Sequence, residues 1–277
     1  MTTKLLAAAV QLTSTADVAR NLLRCQELIR HAASRGARLV VLPENFAIMS
    51  ASEEQRRAAA ERLDPVQPGP IVSAMAEVAA ATGVHLVLGG MPEIPADGDD
   101  KGRFHNACVL LGPDGGLLAV YRKIHLFDVF IPDGVTYAES RSVAPGDRPV
   151  VADTPWGGLG LSVCYDVRFP ELYRALAAEG ARIVVVPAAF TLHTGRDHWH
   201  PLLRARAIEN QVFVVAAAQY GKHDEKRVTF GHSLIVDPWG TVIADHPDGE
   251  GVVVAELDFD RQDAVRRDLP ALQHRRL

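Results

Sequence analysis

Three apolar runs of this chain end on residues that can do acyl chemistry together. LVVLP leads into Glu44, LLAVYR into Lys123 and GLGLSV into Cys164. A thiol with an ordinary pKa of about 8.5 attacks a carbonyl carbon only as thiolate. A carboxylate within reach can take its proton and later return one to a departing amine. An ammonium beside them favours the thiolate and steadies the oxyanion formed when sulfur adds to carbon. The backbone amide of Tyr165, next after the thiol, is the natural second donor. The set points to acyl transfer through a thioester, with water as the second acceptor, provided the fold brings the three together. Each type also has an ordinary use. Glu44 fits a capping or surface acid, Lys123 a lysine snorkelling from a strand end, and Cys164 a small buried hydrophobe. Cys25 on a helix stripe and Cys108 inside an apolar strand fit that last description better.

The elements that must position these residues alternate along the chain. Residues 5–12 read as a strand. The spacing of Val18, Leu22, Cys25, Ile29 and Ala32 predicts a helix over 17–35. ARLVVLPE (37–44) reads as a near-continuous apolar strand. Helices follow over 53–63 and 70–81, the second opening on Pro70 and closing before Gly83. VHLVLGG, FHNACVLL and LLAVYRK read as strands, the last two flanking the turn signal GPDGG. The stretch 124–148 has no periodicity, and a loop of that length is usually functional. Beyond it come the strands PVVADT and GLGLSV, a helix over 170–179, the strand ARIVVVPAAF, a helix over 199–210 and the strand QVFVVAAAQ. A hairpin about 237–240, the strand GVVVAELD and a short helix complete the chain. Crossovers joined to hairpins predict an α/β protein of mixed sheets with helices on their faces. Periodicity leaves open whether two sheets face each other or one sheet is doubly wound.

Composition narrows the function classes. The 277 residues are 48% hydrophobic and 23% charged, which is ordinary for a globular protein. No window approaches 18 apolar residues, so no membrane partner is expected, and the run LLAAAV is too short for a signal peptide. Twenty-nine basic residues against 34 acidic ones, scattered rather than clustered, give no reason to expect a nucleic-acid partner. Three cysteines are too few and too odd in number for a disulfide framework, so a cytoplasmic setting is expected. Of the 11 histidines, HWH at 198–200 is the closest pairing. Without a cysteine–histidine zinc spacing or HExxH, neither a catalytic metal nor a cofactor is expected. HTGRDHWH reads instead as a pocket wall or a cap for the following helix.

Around the three reactive residues the chain resembles the nitrilase, or carbon–nitrogen hydrolase, superfamily. The motifs are LVVLPENF, YRKIHLFD and VCYDVRFPEL, in the family's order, and the resemblance runs over residues 4–257. It implies a four-layer α-β-β-α sandwich of two mixed sheets. It also implies a single domain over 1–277, with 258–277 as a C-terminal tail, and a homodimer. By this resemblance Glu44 is the general base, Lys123 the oxyanion stabiliser and Cys164 the nucleophile, while Glu139 in TYAES is a second glutamate that positions lysine and substrate. The segment 187–240 resembles the deaminated glutathione amidase branch, whose members release 2-oxoglutarate and cysteinylglycine. The sister omega-amidase branch shares YRKIHLFD and the RARAIEN helix. The expected partner is a small linear amide carrying carboxylate groups, with water as acyl acceptor. Arg168, four residues past the thiol, is a candidate to hold a carboxylate bidentately. Arg196 and Arg206 are further candidates, and the Arg196 and KHDEKR loops are expected to face the pocket. Asp166 is expected to bind backbone donors or an arginine and so shape the turn. A non-catalytic scaffold of the same fold is the rival from another class, and the presence of all three reactive residues speaks against it.

Overall fold

Along the first strand, Ala7 and Ala9 face one way and Ala8 and Val10 the other, and all four are fully buried. Successive side chains of a strand point to opposite faces, so a strand apolar on both faces must be covered on both. The structure, a computed structural model, describes residues 3–50, 52–96, 102–130, 136–225 and 227–276.

The first half contributes β1 (Lys4–Gln11), α1 (Val18–Ser34), β2 (Leu39–Val41), α2 (Glu53–Ala58), α3 (Pro70–Thr82), β3 (His85–Glu93), β4 (Phe104–Leu111) and β5 (Leu117–Arg122). Short strands β6 (Asp128–Phe130), β7 (Thr136–Ala138) and β8 (Val143–Ala144) follow. The second half contributes β9 (Val151–Thr154), β10 (Gly157–Leu161), α4 (Pro170–Ala178), β11 (Ala181–Val185), α5 (Leu192–Asn210) and β12 (Phe213–Ala216). It continues with β13 (Tyr220–Lys222), β14 (Val228–Phe230), β15 (Ser233–Val236), β16 (Val242–His246), β17 (Gly251–Asp258) and α6 (Phe259–Asp268).

Two mixed sheets result. One runs β17-β1-β2-β3-β4-β5, with β8 beside β4, and the other runs β16-β15-β12-β11-β10-β9. In each, three central strands are parallel and the flanking pairs antiparallel. Ala8 and Val10 pack outward with Cys25 and Ile29 of α1 and Met75 of α3. Ala7 and Ala9 pack inward with residues of the second sheet, whose far side carries α4 and α5. The layers are therefore helix, sheet, sheet, helix, the two-sheet alternative that periodicity left open.

Several boundaries differ from the sequence reading, each for a local reason. The strand expected over 37–44 stops at Val41. Leu42 still donates to Val87, but Pro43 has no amide to continue the ladder, and the chain turns through Asn45 at φ 60°. Helix α2 ends at Ala58 rather than at residue 63 because Glu61 is used elsewhere. Its carboxylate accepts from Ile71 N at 2.6 Å and Val72 N at 3.2 Å. It thereby caps α3, whose own N-cap, Gly69, has no side chain to do so. Helix α5 begins at Leu192, well before Trp199. Thr191 caps it by accepting from Thr194 N, and Pro201 sits within the helix rather than at its start. HTGRDHWH is thus the first half of a helix and not a loop. Residues 259–268 are likewise not a loose tail. Phe259 is buried against Phe213 and Gln262 is fully buried, so the packed body extends past residue 257. Within the aperiodic stretch, 131–135 lie outside the described residues, as do Lys226 of the KHDEKR loop and both ends of the expected domain, Met1 and Leu277.

Candidate active site

Cys164 opens a tight 3-10 turn, Cys164–Arg168, just beyond β10. Its φ of 49° is left-handed, a conformation costly for a residue with a Cβ. The turn is held from below by Asp166, which is fully buried. One carboxylate oxygen accepts from Val163 N at 2.8 Å and Tyr121 Oη at 2.7 Å. The other accepts from His125 N at 3.2 Å and His125 Nδ1 at 2.8 Å. Asp166 therefore binds backbone donors, as expected, and binds Tyr121 and His125 in place of an arginine. Since Tyr121 and His125 bracket Lys123, a single carboxylate ties the thiol's turn to the lysine's segment.

Glu44, Lys123, Glu139 and Cys164 meet at the base of a cavity of about 290 Å³. Lys123 Nζ donates to Glu44 Oε1 at 2.9 Å and to Glu139 Oε2 at 2.8 Å. Asn106 Nδ2 spans the same two carboxylates, at 2.9 Å from Glu44 and 3.3 Å from Glu139. Backbone amides complete the set, Ala189 N donating to Glu44 Oε2 at 3.1 Å and Phe127 N to Glu139 Oε2 at 2.7 Å. Gly90 makes room for this packing. With φ at 147°, a Cβ there would lie 2.7 Å from Asn106 Oδ1 and 3.2 Å from Glu44 Cγ.

Burial and charge set the protonation states. Burial alone would lower the pKa of Lys123, but Glu139 and Glu44 outweigh it and hold the ammonium well above the usual lysine range. Burial raises the Cys164 thiol well above its ordinary value, and the Glu44 charge adds to this, while Lys123 and the Ala189 amide oppose it. Burial and Glu44 thus favour the neutral thiol, against the pull of the Lys123 ammonium toward thiolate. Such an arrangement can transfer the thiol proton to Glu44 when sulfur attacks a carbonyl carbon. Two donors, Lys123 Nζ and the Tyr165 amide in the turn, are placed by the same elements that line the cavity.

The remaining candidates divide. Arg168 lines the cavity, its guanidinium 5.0 Å from the Phe190 ring and 5.9 Å from that of Tyr165. It donates to His198 Nδ1 at 3.3 Å and forms no ion pair among the described residues. Arg196 does not reach the cavity. Thr191, the N-cap of α5, and Thr194 line it, and at about 100° per residue Arg196, two positions past Thr194, turns to solvent. Arg206 is buried elsewhere, donating to Val167 O at 3.0 Å and Glu209 Oε1 at 2.6 Å. Sequence reasoning missed Asn106, whose one signal was an amide inside the apolar run FHNACVLL. It also missed Arg56 and Arg227, which line the cavity from α2 and from the KHDEKR loop.

The HWH pair does not act as a pair either. His198 faces Arg168, whereas His200 Nε2 meets Asp245 at 2.9 Å and His232 Nδ1 meets the same carboxylate at 3.0 Å. These three have their ligand atoms within 4.8 Å of one another, the geometry of a possible cation site, and none of them lines the cavity.

Comparison with known proteins agrees with this geometry. The carbon-nitrogen hydrolase family model matches residues 6–267. Deaminated glutathione amidase of Synechocystis is 46% identical over 272 residues, covering 98% of this chain and 97% of that protein. Human omega-amidase NIT2 is 38% identical over 269 residues, covering 97% and 94%. Among solved structures, Saccharomyces cerevisiae Nit3, a member of the nitrilase superfamily, superposes with a TM-score of 0.89 at 33% identity, covering 100% of this chain and 98% of that one. With the thiol, its two carboxylates and the lysine gathered at one cavity, and the family model spanning nearly its whole length, the chain belongs to the carbon-nitrogen hydrolase family, the nitrilase superfamily.

Proposed function

We propose that this protein hydrolyses deaminated glutathione through a thioester on Cys164. The observation that carries the reading is the gathering at one cavity of Cys164, in a left-handed turn, with Glu44 and with Lys123 held between Glu44 and Glu139. Glu44 takes the thiol proton as sulfur bonds to the amide carbon, and the carbonyl π pair moves to oxygen. Lys123 Nζ and the Tyr165 amide hold that oxyanion. Glu44 then gives its proton to the nitrogen, the C–N bond breaks and cysteinylglycine leaves. Water, losing a proton to Glu44, adds to the thioester, and collapse of the second adduct releases 2-oxoglutarate and restores the thiol. Asn106 keeps the two glutamates in register, and Glu139 keeps the lysine charged. Arg168, a cavity guanidinium without an ion-pair partner among the described residues, offers a bidentate site for a substrate carboxylate.

The similarity to curated deaminated glutathione amidases supports this substrate, and the similarity to an omega-amidase supports 2-oxoglutaramate as the alternative. Hydrolysis of both, side by side, separates them. The expected result is a kcat/KM favouring deaminated glutathione, and a ratio clearly favouring 2-oxoglutaramate reverses the assignment. Two further properties belong to the proposal. The family resemblance supports a homodimer, which light scattering on the purified protein tests. Three free cysteines, all buried, suit a reducing cytoplasm.

A further inference from the structure

Several covered arginines of this molecule are neutralised by a carboxylate. Arg122 pairs with Glu93, Arg182 with Asp263 and Arg206 with Glu209. Arg56 and Arg227 break the pattern. Both line the cavity that holds Cys164, and neither forms an ion pair among the described residues. Arg56 donates to Ser142 Oγ at 3.4 Å and lies 5.9 Å from the Phe104 ring, while its Nε is buried with no acceptor. The Arg227 guanidinium has Met49 Sδ at 3.7 Å and the Tyr137 ring at 6.0 Å. Burial disfavours the Arg56 cation and the charge of Arg227 disfavours it further, with Glu53 and Glu139 offsetting this from beyond ion-pair distance. Glu139 is committed to Lys123. Two like charges brought together over a cavity, one with an orphaned buried donor, are the arrangement of an anion site lacking its anion's bonds.

We propose that Arg56 and Arg227 together bind the carboxylate of the departing half of the substrate, the glycine end of the cysteinylglycine unit. This rests on the amidase reading above and assigns its second cationic pole. The position decides which carboxylate it takes. Arg168 ends the turn that Cys164 opens, with the Phe190 ring at 5.0 Å and the Tyr165 ring at 5.9 Å, so it marks the inner wall. Arg227 lines both the catalytic cavity and the surface groove formed by Ser50, Ser52, His223 and Asp224, so it marks the outer mouth. From the scissile amide, the dipeptide is the longer arm, and its terminal carboxylate reaches the mouth while the shorter 2-oxo acid arm stays at the inner wall. The fork of a guanidinium presents two N–H donors to the oxygens of one carboxylate, and a second cation beside it adds charge. An amide whose leaving group is ammonia makes no use of this pole.

The test compares wild type with Arg227→Met and Arg56→Met in two measurements, each variant first checked for an unchanged melting profile. In turnover, kcat/KM for deaminated glutathione falls about 10- to 100-fold more than that for 2-oxoglutaramate, which has the same acyl half and no leaving-group carboxylate. In calorimetry, cysteinylglycine binds wild type more tightly than its C-terminal amide does, and either variant abolishes the difference. Arg227→Lys, keeping the charge, recovers part of both effects. Equal losses on the two substrates, or no loss on either, overturn the proposal, as does a dipeptide that binds no better than its amide. Because the binding measurement needs no turnover, a wild type inactive on deaminated glutathione sinks the substrate assignment while leaving the arginine pole separately tested.

Discussion

Changing Glu139 to Gln removes one negative charge from the buried cluster while leaving its shape nearly intact. Glu139 accepts from Lys123 Nζ at 2.8 and 3.1 Å and from Phe127 N at 2.7 Å. Glutamine can still accept from both, so the backbone amide is not orphaned and the fold should persist. What changes is the lysine's charge balance. Burial pulls its pKa down, and Glu139 is the larger of the two carboxylate influences holding it up. Without that charge, the ammonium depends on Glu44 alone and is held less firmly above the usual lysine range, so its hold on the oxyanion weakens. A hydrogen bond to a charged group contributes about 1.5–3 kcal/mol, which corresponds to a loss of about 10- to 150-fold in kcat/KM. The loss should fall mainly on kcat, measured as 2-oxoglutarate release under saturating substrate. A folded Glu139→Gln variant within twofold of wild type would show that the second glutamate does not sustain the lysine's charge. A loss beyond about 10⁴-fold would refute the reasoning in the other direction, since it would make Glu139 rather than Glu44 the proton carrier.

Two further outcomes follow from the same geometry. Gly90→Ala would place a Cβ 2.7 Å from Asn106 Oδ1 in a backbone conformation that disfavours side chains. Activity should fall about 100-fold through displacement of Asn106 and Glu44, and full activity with an unshifted melting temperature would contradict the packing. His223 donates from Nδ1 to Ser14 O at 2.8 Å and takes the Thr229 hydroxyl at 2.7 Å on Nε2. Burial lowers its pKa in the fold, against a partial opposing effect of the Ser14 carbonyl. The unfolded chain therefore binds this proton first, near pH 6.5 or about there. The stability linked to His223 is present above that pH and is lost as pH falls through the lower folded value. His223→Gln should flatten this part of the melting temperature's dependence between about pH 8 and 5, and an unchanged slope would exclude His223 as its source.

The reactive residues were legible in the sequence because each follows an apolar run that reads as a strand, and a polar residue there sits near a strand's mouth. The Glu–Lys–Cys gathering needed the fold, since 79 residues separate Glu44 from Lys123. Asn106 was hidden for the same reason. An amide in an apolar strand acquires a purpose only when two carboxylates from distant elements are seen on either side of it. Arg196 shows how a boundary error becomes a site error. Starting the helix at Trp199 left the residues before it as a loop free to face the pocket, but Thr191 caps a helix that starts at Leu192 and turns Arg196 outward. Arg56 gave no signal at all, lying on the short polar helix EEQRRA, whose relation to the cavity is set by contacts far along the chain. The order of strands and helices, by contrast, was plain in the alternation of apolar runs with helical stripes, while the pairing of two sheets was not.

The most direct test is intact-mass spectrometry of the enzyme quenched during turnover, with the modified peptide then sequenced. The expected result is an added mass equal to the 2-oxoglutaryl acyl group, located on Cys164 and absent from an inactive Cys164→Ala protein. A substrate-derived adduct on another residue, or a folded Cys164→Ala enzyme that still turns over the amide, would contradict a mechanism through the Cys164 thioester.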